Sequence, residues 1–342
     1  MFKPTKTLAL TMALATGVLL AGCGTTPTAT TSANASATSA ATPPAVTGTA
    51  NVAYAGSLQL VNDQYLSPAF KQATGLAFQG RGGGSFGVAH LIATKEIQPN
   101  VFESIGSAPI KELSPQFTDW AVGFASSPLV IAYSPKSPYA SQLNAIAKGQ
   151  TPLKELFTLM QKPDFHLGRT NPNTDPQGQV FVMMLHLAQQ QLNLPSGTAD
   201  AILGGQNNPK QIFAEESILS QLQAGQLDAS SAYLPEAIQR KLDYIVLPDS
   251  MNFGNPADSA TYATQHLTLK GGKTATGSTA EIYLTTIKGS KDQQAGEKFV
   301  SYLLSPAGQA IYKAQGYQLT PAKIWGNRAA VPSAILQLVQ GS

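Results

Sequence analysis

An α/β fold is what this 342-residue chain predicts, and three observations carry that reading. Short apolar strands alternate with helical segments from residue 51 onward. Glycine–serine pairs stand where the first two strands run into helices. Two apolar strands, at 124–133 and 281–287, bracket a more polar middle block, as two crossings between an end-built lobe and a middle lobe would do.

The elements follow in order. Val52 to Ala55 is a short apolar strand that ends in Gly56-Ser57. Leu58 to Thr74 has helical spacing (Leu58, Val61, Tyr65, Leu66, Phe70), interrupted by Pro68 and stopped by Gly75. Leu76 to Gly80 is a second strand, followed by the turn Arg81-Gly82-Gly83-Gly84-Ser85, a helix from Phe86 to Lys95, and a third strand from Val101 to Ile105. Strand and helix alternating in this way predict a parallel sheet with right-handed crossovers. Ligands then sit at the carboxyl ends of strands, where loops lead into helix N-termini. Phe124 to Tyr133 reads as one longer strand. The middle block holds helices over 141–148, 153–160, 177–192 and 215–224, with short strands over 229–233 and 244–247. Glu281 to Ile287 is again strand-like, and 293–304 and 306–315 are closing helices.

The first 23 residues read as an address. Lys3 and Lys6 precede an apolar run from Leu8 to Leu20, and Leu20-Ala21-Gly22-Cys23 follows; Cys23 is the sole cysteine. The run is too short for a membrane span and has the order of a secretory signal. The four residues at its end resemble a bacterial lipobox, which implies diacylglyceryl attachment at Cys23 and an anchor on the extracytoplasmic face of the cell membrane. Residues 24–50 are almost wholly Gly, Thr, Pro, Ala, Ser and Asn, with no apolar periodicity, and read as a disordered tether. Removing Lys3 and Lys6 with a cleaved leader leaves 20 basic side chains against 19 acidic ones. A chain so nearly neutral, without Lys/Arg blocks, gives no footprint for nucleic acid. One cysteine excludes a disulfide scaffold, a zinc-finger cluster and a CxxC redox pair.

The segment Gly82-Gly83-Gly84-Ser85-Phe86-Gly87 fits three patterns. Gly82-x-Gly84-x-x-Gly87 between strand and helix matches a dinucleotide fingerprint, with Glu103 as the ribose acid. That reading conflicts with an extracytoplasmic address, where nicotinamide nucleotides are not supplied. Gly83-x-Ser85-x-Gly87 matches the nucleophile elbow of a secreted serine hydrolase. That reading needs several strands ahead of the elbow, and only about 35 folded residues precede it. The third reading is an anion site, with amide N–H groups and a hydroxyl aimed at the ligand. It gains from Gly56-Ser57 at the equivalent place one strand earlier. Two Ser-bearing helix starts at neighbouring strand ends point toward one crevice, although two ordinary N-caps would read the same way.

In the middle block, Asp175 stands at a helix start after a turn-rich stretch, and Glu215 and Glu216 begin another helix, where acids are favoured in any case. Tyr233 ends a short strand. His90, His166, His186 and His266 are scattered without metal-ligand spacing.

The order of these features is similar to the solute-binding proteins of ABC transporters. Within them, Gly168-Arg169-Thr170-Asn171-Pro172-Asn173-Thr174-Asp175-Pro176-x-Gly178 resembles the Asn-Pro-x-x-Asp-Pro-x-Gly loop of the molybdate/tungstate-binding branch. Glu215 ahead of Leu222-Gln223-Ala224-Gly225, then Tyr233, and Gly316-Tyr317 near Pro321-Ala322 extend the likeness over residues 51–325. The resemblance implies a two-lobed periplasmic-binding-protein fold of class II, with mixed, mostly parallel sheets and a two-strand hinge. Lobe I would take 51–134 and 280–342, and lobe II 135–279. It implies a ligand held by Gly56, Ser57, Gly84, Ser85 and Tyr233, with Asp175 and Glu215 giving oxygens to the metal of the oxyanion. It implies no enzyme activity and no cofactor, an ABC permease as partner, and action as a monomer. Two positions depart from the family's pattern. Gln223 stands where Glu is common, and Ile105-Gly106 where an Asp follows the third strand.

Two acids beside a dianion pose a physical puzzle, because each pair of unit charges at 4 Å repels by about 4 kcal/mol at an effective dielectric near 20. Inner-sphere bonds to Mo(VI) or W(VI) reverse that sign. So does a proton on hydrogenphosphate. Sulfate and phosphate therefore stay as competing tetrahedral ligands on the residues alone.

Overall fold

A computed structural model describes residues 46–340. The expected leader, Cys23 and the tether up to residue 45 lie outside the described residues. The strands are β1 (Thr49–Ala55), β2 (Ala77–Gly83), β3 (Val101–Ile105), β4 (Trp120–Ser126), β5 (Leu129–Tyr133) and β6 (Leu167–Gly168). They continue as β7 (Ala229–Tyr233), β8 (Asp243–Val246), β9 (His266–Thr268), β10 (Thr274–Thr276), β11 (Glu281–Thr286) and β12 (Gln318–Gly326). A six-stranded sheet has the order β12-β4-β11-β3-β1-β2, a four-stranded sheet the order β6-β7-β5-β8, and β9 and β10 form a hairpin.

As the strand–helix alternation predicts, β1 pairs in parallel with both β2 and β3. Ala55 stands opposite Gly83 in that register, so Gly56 and Gly84 leave the sheet side by side. Most of the rest departs from the mostly parallel expectation: β11 is antiparallel to β3 and β4, β12 to β4, and β5 to β7 and β8. Only β6, which joins β7 across intervening helices, is parallel again. Strand–helix alternation governs these stretches, whereas β4, β5, β11 and β12 enter their sheets from the crossings and from the chain end. Strands β4, β5 and β11 are buried along their whole length, as expected of sheets covered on both faces.

The apolar run 124–133 is two strands in different sheets. β4 ends at Ser126 in the larger sheet and β5 starts at Leu129 in the smaller. Pro128, which lacks an N–H and cannot extend a ladder, marks the break. The first crossing therefore lies at Ser127-Pro128, ahead of the expected boundary at 134, because continuous hydrophobicity hides a change of sheet. The return crossing runs alongside it, with the Ser127 N–H donating to the Ala280 carbonyl at 2.9 Å. Two further edges shift. β1 takes in Thr49 and Ala50 from the expected tether, with Thr49 opposite Ala77. β2 runs on to Gly83, so the glycine turn shrinks to Gly84 alone.

Helix ends follow their local chemistry. Gly75 stops the helix Ser67–Thr74 in a left-handed conformation at φ 73°, while Pro68 sits in its first turn after a π-helical stretch over Val61–Leu66. The helix Pro176–Gln191 opens on Pro176 behind the Asp175 cap. Phe299 of the closing helix Gln293–Leu304 packs edge-on against Phe70 at 5.3 Å, which seals the outer face of β1 and β2.

Candidate functional site

The two serine-tipped turns sit at adjacent strand ends of the first lobe. Gly56 and Ser57 form a single 3-10 turn after β1, and Ser57 is buried with no hydrogen-bond partner for its Oγ among the described residues. Gly84 caps the helix Ser85–Ala93. The Ser85 side chain is fully buried, and its Oγ accepts from the Ile105 N–H at 3.2 Å. That bond leaves the hydroxyl proton of Ser85 free to donate.

The second lobe brings its acids to the same place. A Cβ built on Gly84 would lie 2.7 Å from the Thr174 carbonyl and 3.1 Å from the Asp175 Cβ, and one on Gly56 would lie 2.8 Å from Glu215 Oε2. Two backbone bonds cross the lobes: Phe86 N–H and Gly87 N–H both donate to the Thr174 carbonyl at 3.1 Å. Asp175 is buried and caps its helix, its Oδ1 accepting from Gln177 N–H at 2.8 Å. Glu215 is also buried, at the first turn of the helix Glu215–Ala224. The buried guanidinium of Arg169 anchors the loop ahead of Glu215, donating to the carbonyls of Gly205 and Gln206 and to the Gln211 side chain. Desolvation lowers the pKa of Arg169 to about 10.

Tyr233 joins the group from the end of β7. Its ring is fully buried, and its Oη has no hydrogen-bond partner among the described residues. Burial pushes its pKa well up, and the negative charges of Asp175, Glu215 and Glu236 push it further. Tyr233 is therefore a neutral phenol and a hydrogen-bond donor throughout the physiological range. Gly56, Ser57, Gly84, Ser85, Asp175, Glu215 and Tyr233 are thus gathered where the lobes meet, and the arrangement can donate hydroxyl hydrogens and offer carboxylate oxygens to one small guest.

Other readings lose their geometry. Gly82 and Gly83 belong to β2, and Glu103 is buried against Tyr312 and Asn62, out of reach of a ribose. No histidine is hydrogen-bonded to Ser85 among the described residues, so the nucleophile elbow has no base.

Known proteins agree with this architecture. The model of a family described as bacterial extracellular solute-binding proteins matches residues 50–318. The chain belongs to that family. An uncharacterized solute-binding protein of Methanococcus aeolicus is 28% identical over 85% of this chain and 87% of its own. The molybdate/tungstate-binding protein WtpA of Pyrococcus abyssi is 28% identical over 66% of this chain and 69% of its own. Among solved structures, the periplasmic molybdate-binding protein of Azotobacter vinelandii superposes with a TM-score of 0.53, covering 79% of this chain and 98% of that one at 19% identity. That likeness shows the two-lobed fold. Membership of the family matched over residues 50–318 makes the protein an extracytoplasmic solute-binding protein, not an enzyme.

Residues that sequence reasoning missed brace or adjoin these side chains in this solute-binding protein. Glu236 is buried and accepts from Tyr233 N–H at 2.8 Å and from Gln177 Nε2 at 3.0 Å, which fixes the β7 terminus beside the Asp175 helix. Burial raises the Glu236 pKa. Tyr317 donates to the Ser57 carbonyl at 3.3 Å and so braces the first turn. Ser127, in the crossing, is buried with no partner for its Oγ among the described residues, two residues ahead of Leu129, which pairs with Tyr233. A glutamate in an amphipathic stretch and a serine next to proline carry no local mark of such roles. Only the register of β5 on β7 brings them together.

Proposed function

We propose that this protein captures molybdate or tungstate between its lobes, outside the cytoplasmic membrane, and delivers it to the permease of an ABC transporter. The observation that carries the reading is the pairing of two buried acids, Asp175 and Glu215, with the hydroxyls of Ser57, Ser85 and Tyr233 at one interlobe site. Hydroxyl and amide donors hold the oxo groups, each charge-assisted bond contributing about 1.5 to 3 kcal/mol. The acids oppose a dianion unless the central atom accepts their oxygens or the guest brings a proton for them to accept. Mo(VI) and W(VI) expand their coordination to six oxygens, so Asp175 and Glu215 become hard inner-sphere ligands, and the repulsion becomes bonding. Sulfur in sulfate lacks that option, so the acids select against the commoner anion. The name of the Pyrococcus relative supports the same ligand.

No cofactor is required, and the protein acts as a monomer. Cys23 carries a diacylglyceryl anchor that keeps the protein at the extracytoplasmic face of the membrane, beside the permease. Calorimetry of the chain from residue 46 against molybdate, tungstate, sulfate and phosphate tests the reading. Tight binding of the first two alone is expected; heat with sulfate or phosphate alone refutes the ligand.

A further inference from the structure

We propose that the hinge side of the interlobe cleft holds a second site, which takes a small amphiphilic monoanion: an apolar body ending in one carboxylate or sulfonate. A cavity of about 530 Å³ lies there, walled by Phe86, Ile105 and Pro109 from the first lobe and by Val180, Met183 and Leu269 from the second. That volume falls in the range of small-molecule sites, roughly 300 to 1,000 Å³. The walls are chemically unlike the neighbouring oxyanion site. They are mainly hydrocarbon, so a compact, strongly hydrated dianion gains nothing by entering, whereas an apolar body gains about 25 cal/mol for each Å² it removes from water.

The charge at the rim selects the other end of the guest. Lys111 lines the cavity from the helix Ala108–Leu113 and has no carboxylate partner among the described residues. Its neighbour Glu112 is already engaged by Lys273 from the second lobe. One uncommitted cation over an apolar chamber fits one anionic group on the guest.

Position gives the site a consequence. Phe86 follows Ser85 and Pro176 follows Asp175, so the cavity backs directly onto the turns that carry the oxyanion site. A guest touching both walls prefers the lobes as close as they stand here. Its binding is therefore coupled to closure, and by linkage each ligand changes the other's affinity by the same factor. The site itself does not depend on which oxyanion the cleft takes.

The test uses 1-anilinonaphthalene-8-sulfonate, an aromatic body with one sulfonate, titrated by fluorescence into the protein with and without molybdate. Two variants accompany it: Lys111→Gln, on an exposed position, and Ala275→Trp, which fills the chamber from the half-exposed strand β10. One saturable dye site is expected, displaced by octanoate, weakened roughly two- to fivefold by Lys111→Gln and abolished by Ala275→Trp. Molybdate calorimetry on both variants reports separately on the oxyanion site and verifies that they fold. Dye affinity unchanged in both variants, or fluorescence that never saturates, overturns the proposal. Loss with Ala275→Trp but not with Lys111→Gln overturns the anionic end of the assigned guest.

Discussion

Gly56 of the first lobe stands against Glu215 of the second so closely that a Cβ on Gly56 would lie 3.1 Å from the Glu215 Cβ and 2.8 Å from its Oε2. Gly84 repeats the relationship with Thr174 and Asp175. Neither glycine uses a left-handed conformation; Gly84 sits at φ −54°. Their role is clearance. Each lets an acid of the opposite lobe approach the serine that follows it, so the two Gly-Ser pairs are half donor and half gap.

Clearance predicts graded damage. The obstacle to a Cβ on Gly84 is the Thr174 carbonyl, main chain held by two interlobe hydrogen bonds, and it cannot rotate away. The obstacle to one on Gly56 is largely the Glu215 side chain, which can swing. Gly84→Ala should therefore weaken oxyanion binding about 100-fold and Gly56→Ala about 10-fold, within the range of overpacking costs. Small-angle scattering checks the cause: Gly84→Ala should stay extended when molybdate is added, while the melting temperature of the free protein holds.

Tyr233→Phe should split stability from function. The Oη is buried with no partner among the described residues, so its removal relieves an unsatisfied group and should leave the free protein as stable or more so, by up to about 1 kcal/mol. Ligand affinity should nevertheless fall about 10-fold as one donor is lost. A variant that binds molybdate as the parent does would remove Tyr233 from the site.

Much of this was legible because it is local. A glycine–serine pair at a strand end, Asp before Pro at a helix start and the 2.0 and 3.6 periodicities each live within ten residues. What stayed hidden depends on pairing across the chain. Ser127 gains its place only because β5 pairs with β7 in the other sheet, and Glu236 only because Gln177, 59 positions away, reaches it. The change of sheet at Pro128 was masked because burial on both faces makes Phe124 to Tyr133 read as one run.

Glu103 makes stability depend on pH. It is fully buried against Tyr312 and Asn62, and desolvation raises its pKa to about 7. In the unfolded chain it titrates near the ordinary value of 4.5. A carboxyl raised on folding stabilises fully below the unfolded value, and the benefit is lost as pH climbs through the folded one. The parent should therefore lose on the order of 3 kcal/mol between pH 4.5 and 7 from this group, and Glu103→Gln should not. Urea titrations of both proteins at pH 5 and pH 8 measure the difference; equal slopes would mean that Glu103 titrates normally.

Lys273 ties the lobes at the rim. It pairs with Glu112 and lies 5.6 Å from the Phe86 ring centroid, and both partners belong to the opposite lobe. The pair is exposed, so its worth is about 0.2 to 1 kcal/mol and is screened by salt. Lys273→Met should speed molybdate release roughly two- to fivefold in dilute buffer and hardly at all in 1 M salt. Stopped-flow release rates in both buffers decide it, with Glu112→Gln expected to match and the double variant to add nothing.

Asp175 has two duties that one substitution separates. Its Oδ1 caps the helix Pro176–Gln191, and in the proposed complex its carboxylate bonds to the guest. Asparagine caps a helix as well as aspartate does, so Asp175→Asn should leave the melting temperature within about 1 °C. The sign of the binding change then reports the chemistry. If the carboxylate bonds to the metal, losing its charge costs molybdate affinity steeply, about 100-fold or more. If it merely stands near the oxo groups, losing the charge relieves repulsion, and affinity for molybdate and sulfate should rise together. The expected result is the loss, with sulfate still unbound, because inner-sphere bonds from both acids to the metal centre turn their repulsion of a dianion into attraction.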